Sequence, residues 1–315
     1  MPADDPAQPP APLRVPGPLA GERVDRSLAL LTGWSRAEVG RLCEQGAVRV
    51  GGRAVARSRR LQAGELLEVA AAPPGEVALG PDPRVEVVVR HADDDVIVVS
   101  KPPGLVVHPG AGHSSGTLVH GLLARFPEVA TVGDPARPGI VHRLDRGTSG
   151  LLVVARSGRA YDRLVAALAA RQVERAYVAL VLGVPDATRG VIDAPLGRSS
   201  RNRARIAVRA DGREARTRYE VWGRFGSHSP AVSVLACTLE TGRTHQVRAH
   251  LAAIGHPVAG DTAYGGAAPG LALERPFLHA SVLRFAHPAT GKWARFEEPL
   301  PADLAAVLKG LGPPG

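Results

Sequence analysis

Apolar positions are sparse over residues 1–18, where seven prolines stand. Such a stretch cannot bury enough surface to offset its ordering entropy, and a disordered tail is expected over 1–20. A compact unit is expected over 21–72. Residues 26–31 carry the apolar spacing of a short helix. Ser35 and Glu38 fit a capping box, S-x-x-E, opening a second helix that stops at Gly46. Residues 48–50 and 53–55, joined by Gly51-Gly52, predict a hairpin, and 66–69 a last short strand. Four prolines and two glycines make 73–84 a linker. From Val85 the pattern changes to short Val-rich runs and amphipathic stretches. It predicts strands over 85–89, 96–99, 175–182, 214–221 and 231–240, and a turn at Lys101-Pro102-Pro103-Gly104. Helices are predicted over 117–126, 159–170, 244–254 (with Gly255 as its stop) and 301–311. There is no internal repeat. Strand runs outnumber helices without regular interleaving, so the fold class is α+β rather than a doubly wound sheet.

Composition narrows the class of partner. Hydrophobic residues are 44% of the 315 and aromatics only 4%, so the core must be built from Val, Leu and Ala. The net charge of +9 favours a polyanion, nucleic acid or an anionic surface. No apolar run approaches the roughly 18 residues that span a bilayer. Asp4 and Asp5 stand where a signal peptide would be basic and then apolar. Cys43 and Cys237 are far apart in sequence, which suits neither a disulfide framework nor a cysteine zinc site. These features predict a cytoplasmic, monomeric protein whose partner is nucleic acid rather than membrane.

The densest chemistry lies in residues 140–156, I-V-H-R-L-D-R-G-T-S-G-L-L-V-V-A-R. Apolar runs flank His142, Arg143, Asp145 and Arg146, which reads as a strand, a tight polar turn and a second strand. A carboxylate crowded by arginines stays ionised, a state suited to nucleophilic or general-base work. The bland alternative is a surface ion pair worth less than about 1 kcal/mol. A second loaded segment, residues 241–260, puts His245 and Arg248 on one face of the predicted helix. His245, His250 and His256 are close in sequence, but no carboxylate falls at a ligand offset, and no metal is expected. The segment 198–218 holds eight arginines and two acids, including Arg201, Arg203 and Arg205. It is either a solvated basic loop or a set of phosphate contacts. Tyr177 follows a basic turn, where its ring could pack in the core or stack on a base.

Two resemblances join these segments. R-x-E-V-x-R-L-x-E-Q-G-A-V-R-V-G-G-R, residues 36–53, resembles the α-L RNA-binding fold, in a unit with nine arginines against six acids. Six further stretches, in order, resemble pseudouridine synthases of the RluA/RluD type. They are D-D-D-V-I-V-V-S-K-P-P-G-L-V-V-H-P-G, H-R-L-D-R-G-T-S-G, R-A-Y-V-A-L-V-L-G, L-E-T-G-R-T-H-Q-V-R-A-H-L, G-H-P-V-A-G-D-T-A-Y-G and F-L-H-A. The T-G-R-T-H-Q and G-H-P-V-A-G-D segments are most similar to the RluD branch, which acts on large-subunit ribosomal RNA.

The resemblance implies a mixed-sheet catalytic domain over 85–315 and isomerisation of a flipped-out uridine, without a cofactor. It implies Asp145 as the catalytic residue, either attacking the ribose carbon or taking a ribose proton. It implies Arg248 as the basic partner of Asp145, Tyr177 as the residue stacked on the base, and Leu278 as the apolar wall. Arg143 would hold the flipped state, at a flipping cost of a few kcal/mol. The implied RNA is a large-subunit ribosomal RNA or a ribosome assembly intermediate. A non-catalytic RNA-binding relative would have lost Asp145, Tyr177 or Arg248, all present here. A metal-dependent nuclease would need a carboxylate and histidine cluster that the sequence lacks.

Overall fold

A computed structural model describes residues 11–34, 36–70, 79–110, 113–200, 202, 205–225 and 230–314. The chain forms two compact units, Met1–Leu79 and Gly80–Gly315.

In the smaller unit, helices Val24–Thr32 and Arg36–Glu44 accompany an antiparallel sheet. Its strand order is Leu13–Arg14, Leu66–Val69, Val48–Val50, Arg53–Ala54. Val24, Leu28, Val39, Val48 and Leu67 are wholly buried. Gly51 and Gly52 both have positive φ, the backbone that a two-residue hairpin turn requires. The expected tail over 1–20 is too long. Leu13 and Arg14 pair with Leu67 and Leu66, and Val15 is buried. The prolines here do not prevent order, because Leu13, Val15 and Leu19 fill the core of this unit and Pro16 and Pro18 fall outside the ladder. Residues 1–10 and Ser35, with its expected cap, lie outside the described residues. Arg41, Arg49, Arg53, Arg57 and Arg60 are exposed.

The larger unit is built on one nine-stranded mixed sheet. The order runs Val88–Ala92, Val96–Lys101, Ser149–Ala155, Leu278–Ala286, Glu174–Leu182, Val232–Leu239, Arg216–Phe225, Arg189–Asp193, with Trp293–Glu297 also paired to Leu278–Ala286. Among the described pairings, only Ser149–Ala155 with Leu278–Ala286 is parallel. Ser149–Ala155 is buried at every residue, as a strand covered on both faces must be. Helix Gly158–Ala169 packs Ala160 and Leu164 on Val96, Val98, Leu151 and Val153. Helix Ala302–Leu311 packs Leu304, Val307 and Leu311 on Val178, Leu180, Val232 and Val234.

Several boundaries differ from expectation. The linker over 73–84 ends earlier, since Asp82 N donates to His120 O at 2.9 Å and Val85 N to Asp82 O at 3.1 Å. Its residues 73–78 lie outside the described set. The strand expected before the 140–156 turn does not form. Residues 139–142 instead lie along the part of Ser149–Ala155 that Leu278–Ala286 leaves unpaired, with Ala155 N donating to Gly139 O and one bridge between Ile140 and Val154. Val153 N donates to His142 Nε2 at 3.1 Å, so a side chain takes the place of a ladder carbonyl. The central strand Leu278–Ala286 was not legible, because His279, Ser281 and Arg284 interrupt its apolar run. His279 is nonetheless buried, between Ser149 Oγ at 2.9 Å and Glu298 O at 3.1 Å.

Candidate active site

Asp145 opens a tight turn in which Thr148 N donates to Asp145 O at 3.0 Å. The turn is clamped from outside. Gly104 N donates to Arg146 O at 2.7 Å, and Arg275 Nη1 to Gly147 O at 3.2 Å. Lys101 is completely buried and its ammonium donates to the carbonyls of Pro102 (2.7 Å), Leu105 (2.9 Å) and Arg146 (3.3 Å). Three donors meet three acceptors, so the K-P-P-G turn and the Asp145 turn are stitched together. Burial pulls the Lys101 pKa down to about 7, against the opposing field of Asp145. Gly150, just past the turn, has φ +112°, and a Cβ there would sit 2.2 Å from Ala280 O. Only glycine lets the strand after Asp145 come this close to the central strand.

Arg248 lies on helix Gln246–Ala253 and joins two carboxylates. Its Nε and Nη2 grip Asp261 at 2.6 and 2.9 Å, and its Nη1 reaches Asp145 Oδ2 at 3.2 Å. Asp261 is 1% exposed. Burial disfavours the guanidinium charge, but the bonds to Asp261 and the field of Asp145 overcome it and raise its pKa. The bidentate grip holds the planar fork, leaving one nitrogen to aim at Asp145. The guanidinium also lies over the Tyr264 ring, 4.9 Å from its centre.

The expected helix over 244–254 begins two residues late. His245 precedes it at φ 54°, a left-handed conformation uncommon for a non-glycine residue. Local polar bonds override helix propensity here. Gln246 Oε1 accepts from Thr241 Oγ1 and Arg243 N, while its Nε2 donates to Arg216 O and Thr217 Oγ1. His245 is therefore not on the helical face of Arg248, yet its Nε2 comes within 4.0 Å of Asp145 Oδ1. Its Nδ1 is 2.9 Å from the Tyr264 hydroxyl. The other two histidines go elsewhere: His250 to Thr217 and Ala194, His256 to Leu182 O. Among the described residues no group of three His, Cys, Asp or Glu side chains could hold a metal ion.

Tyr177, on Glu174–Leu182, and Leu278, on the neighbouring central strand, are 5% and 3% exposed and line one cleft with Asp145, Arg143 and Arg248. Burial pushes the Tyr177 phenol up to about 12, with Arg175 opposing and Asp145 assisting. Arg143 is exposed at the mouth, 3.5 Å from His108 Nε2. Arg201 and Arg203 lie outside the described residues. Arg205 is exposed on the connection of a hairpin, Leu196–Arg198 with Ile206–Val208, so the basic stretch is partly strand rather than loop. Ile206 N at its base donates to the Tyr264 hydroxyl at 3.0 Å, tying this hairpin to the His245 and Arg248 neighbourhood. The sequence reading missed Asp261, Tyr264, Lys101 and Arg175. Asp261 and Tyr264 both stand in G-H-P-V-A-G-D-T-A-Y-G, but nothing local in that segment indicates that it folds back on helix Gln246–Ala253.

A mixed sheet whose middle strands present Tyr177 and Leu278, with the turn before Ser149–Ala155 presenting Asp145, to an arginine-lined cleft is the setting of an enzyme site. Residues 95–253 match the family model described as RNA pseudouridylate synthase. The chain belongs to this family and is an RNA pseudouridine synthase, an isomerase. It is 48% identical to an RNA pseudouridine synthase of Chloroflexus aurantiacus, over 94% of this chain and 92% of that protein. It is 43% identical to the ribosomal large subunit pseudouridine synthase D of Nitrosomonas europaea, over 95% of this chain and 87% of that protein. Among solved structures, human RNA pseudouridylate synthase domain containing 1 superposes with a TM-score of 0.55 at 27% identity, covering 75% of this chain and 99% of that one.

Proposed function

We propose that this enzyme isomerises uridine in large-subunit ribosomal RNA, with Asp145 as the catalytic carboxylate and no cofactor. The observation that carries the reading is Asp145 itself: a carboxylate at a cleft, 15% exposed, aimed at by an arginine that a second, buried carboxylate holds in place. The similarity to large-subunit pseudouridine synthases D supports the choice of RNA.

The chemistry needs one ionised oxygen at the ribose. In one route Asp145 attacks C1′ as the C1′–N1 bond breaks. In the other it takes the C2′ proton while the same bond breaks. In both, the bonding pair leaves with the base. The uracil turns and C5 bonds to C1′, displacing the Asp145 oxygen in the first route, or with C2′ regaining its proton from Asp145 in the second; C5 then gives up its proton and N1 takes one up, so that atoms and electrons balance without an oxidant. Arg248 orients Asp145. Tyr177 supplies the ring against which the base lies, Leu278 closes the apolar wall, and Arg143 at the mouth holds the flipped state. The basic stretch with Arg201, Arg203 and Arg205 contributes phosphate contacts, which help offset flipping.

The test is a map of pseudouridine across ribosomal RNA in cells with the gene, without it, and with an Asp145→Asn copy. The expected result is one or more large-subunit sites lost on deletion and not restored by Asp145→Asn. In single turnover this variant should be slower by on the order of 10³-fold or more, with RNA affinity nearly intact. Sites confined to transfer RNA would overturn the choice of RNA. Near-normal turnover by Asp145→Asn would overturn the catalytic assignment.

A further inference from the structure

Among the described residues, one charged group in the cleft has no hydrogen-bond or ion-pair partner. Arg248 is held by Asp261 and Asp145, Arg143 is exposed beside His108, and Arg243 Nε donates to Glu214 O. Arg175 is 6% exposed and lines the cleft, yet its guanidinium finds no hydrogen-bond acceptor and no carboxylate among the described residues, and its Nε is buried unbonded. It stands two positions before Tyr177 on Glu174–Leu182, hence on the same face of the strand. Burial lowers its pKa, with Tyr177 opposing. Leaving a charged donor buried and unpaired costs several kcal/mol, which a structural arginine would recover by bonding a carboxylate or carbonyl.

The surroundings are shaped around this guanidinium. Gly242 gives it room: a Cβ there would lie 2.6 Å from Arg175 Nη1. His142, lining the same cleft, accepts from Val153 N through Nε2, so its Nδ1 carries the proton, and that atom too is buried without a partner. Burial and then the Arg175 charge hold His142 neutral, its pKa down at about 3. Two residues with a buried, unpaired N–H donor, one of them charged, therefore line a cleft that also holds the Asp145 carboxylate and the Tyr177 ring. An acceptor-rich, anionic planar group completes that set.

We propose that Arg175 is a catalytic residue that binds the carbonyl oxygens of the uracil and stabilises the negative charge the base carries while it is detached from the ribose. The inference rests on the proposed reaction at Asp145. When C1′–N1 breaks, its electron pair enters the ring and spreads over N1, O2 and O4. Whichever way C1′ is satisfied, by Asp145 oxygen or by loss of the C2′ proton, the base is anionic until C5 spends that charge in the new bond to C1′. A preorganised guanidinium in a dry cleft stabilises such charge far more than it stabilises neutral uridine, which is the condition for lowering a barrier. The unpaired state of Arg175 in the free enzyme follows: its partner arrives with the substrate and carries charge only during the reaction.

Leaving-group acidity supplies the test. Fluorine at C5 withdraws electrons and stabilises the detached base by itself, so a 5-fluorouridine target should lean less on Arg175. Single-turnover consumption of the target nucleoside is followed in matched RNAs carrying uridine or 5-fluorouridine, for the wild type, Arg175→Met, Arg175→Lys and Gly242→Ala. Arg175→Met should slow the uridine RNA by on the order of 10²–10³-fold, and the 5-fluorouridine RNA by at least about tenfold less than that. Arg175→Lys, which keeps a charge, should recover part of the rate. Gly242→Ala, which keeps Arg175 but displaces its guanidinium, should reproduce the base-selective defect even where Arg175→Met fails to fold. Equal slowing on both RNAs in these variants would overturn the role. An inactive wild type would overturn instead the reaction on which it rests.

Discussion

At the scale of single residues, the site depends on how Arg248 divides its nitrogens between Asp145 and Asp261. Among the described residues the Asp261 carboxylate bonds only the guanidinium that reaches Asp145, so Asp261 is a positioning residue. Asp261→Asn should destabilise the larger unit by about 3 kcal/mol, because it leaves part of a buried charge uncompensated. Turnover should fall on the order of 10²-fold through loss of aim, with KM for RNA little changed. Chemical denaturation and single-turnover rates on the same preparation would check this, and a stability loss without a kcat loss would show that Asp261 is structural only. Tyr177 allows a second prediction. Its phenol, pushed to about 12 chiefly by burial, stays protonated at neutral pH. Its pKa is raised above the unfolded value of about 10, so its contribution to stability is full below pH 10 and declines as pH rises from there through 12. Tyr177→Phe should therefore keep the wild-type shape of the pH–rate profile between about pH 6 and 9. Loss of a limb in that window would mean that the hydroxyl titrates during turnover.

At the scale of elements, the decisive contact is the parallel pairing of Ser149–Ala155 with Leu278–Ala286, made through His279 with Ser149 and Ala280 with Gly150. It brings the Asp145 turn against the strand that starts with Leu278 and, one strand further, Tyr177. Gly150→Ala would place a methyl group 2.2 Å from Ala280 O at φ +112°. Both strain and clash apply, and the loss of stability should reach at least about 3 kcal/mol. A midpoint of unfolding within error of the wild type would show that this pairing is not tight. Helix Gln246–Ala253 is positioned differently, by the satisfied side chain of Gln246 and by the packing of Ala249 on Leu196 and Ala215. Its apolar pattern is weak because the helix buries Gln246, Arg248 and His250 along with Val247 and Leu251.

At the scale of the whole molecule, the two units have separate cores, one centred on Val24, Leu28 and Leu67 and the other on the nine-stranded sheet. A chain beginning at Gly80 should therefore remain folded, with the circular dichroism of an α+β protein. It should bind RNA more weakly and discriminate less between target and unrelated RNA, because it lacks the exposed arginines of the smaller unit. An insoluble or unfolded fragment, or one with full affinity, would contradict independent units with an RNA-binding role for the first. No described helix is long and apolar enough to cross a membrane.

The sequence by itself determined the elements whose signals are local. The Val-rich strands, the Gly51-Gly52 hairpin, the K-P-P-G turn and the polar turn around Asp145 were all legible, since alternation, turn chemistry and charge crowding act over a few residues. The ordered motifs also carried the family, and with it the selection of Asp145, Arg248, Tyr177 and Leu278. What only the tertiary structure decided concerns partners far apart in the chain. Leu278–Ala286 is central although its sequence is interrupted, because His279 is satisfied by Ser149, 130 positions away. The 140–142 stretch gives up strand form because His142 can serve Val153. Residues 13–19 are ordered because a core elsewhere accepts their few apolar side chains. Asp261 matters because the chain turns back on helix Gln246–Ala253, and Arg175 because no described residue around it supplies a partner. Local free energies are written in local sequence, whereas the pairing of buried charges and the absence of a pairing are properties of the assembled fold.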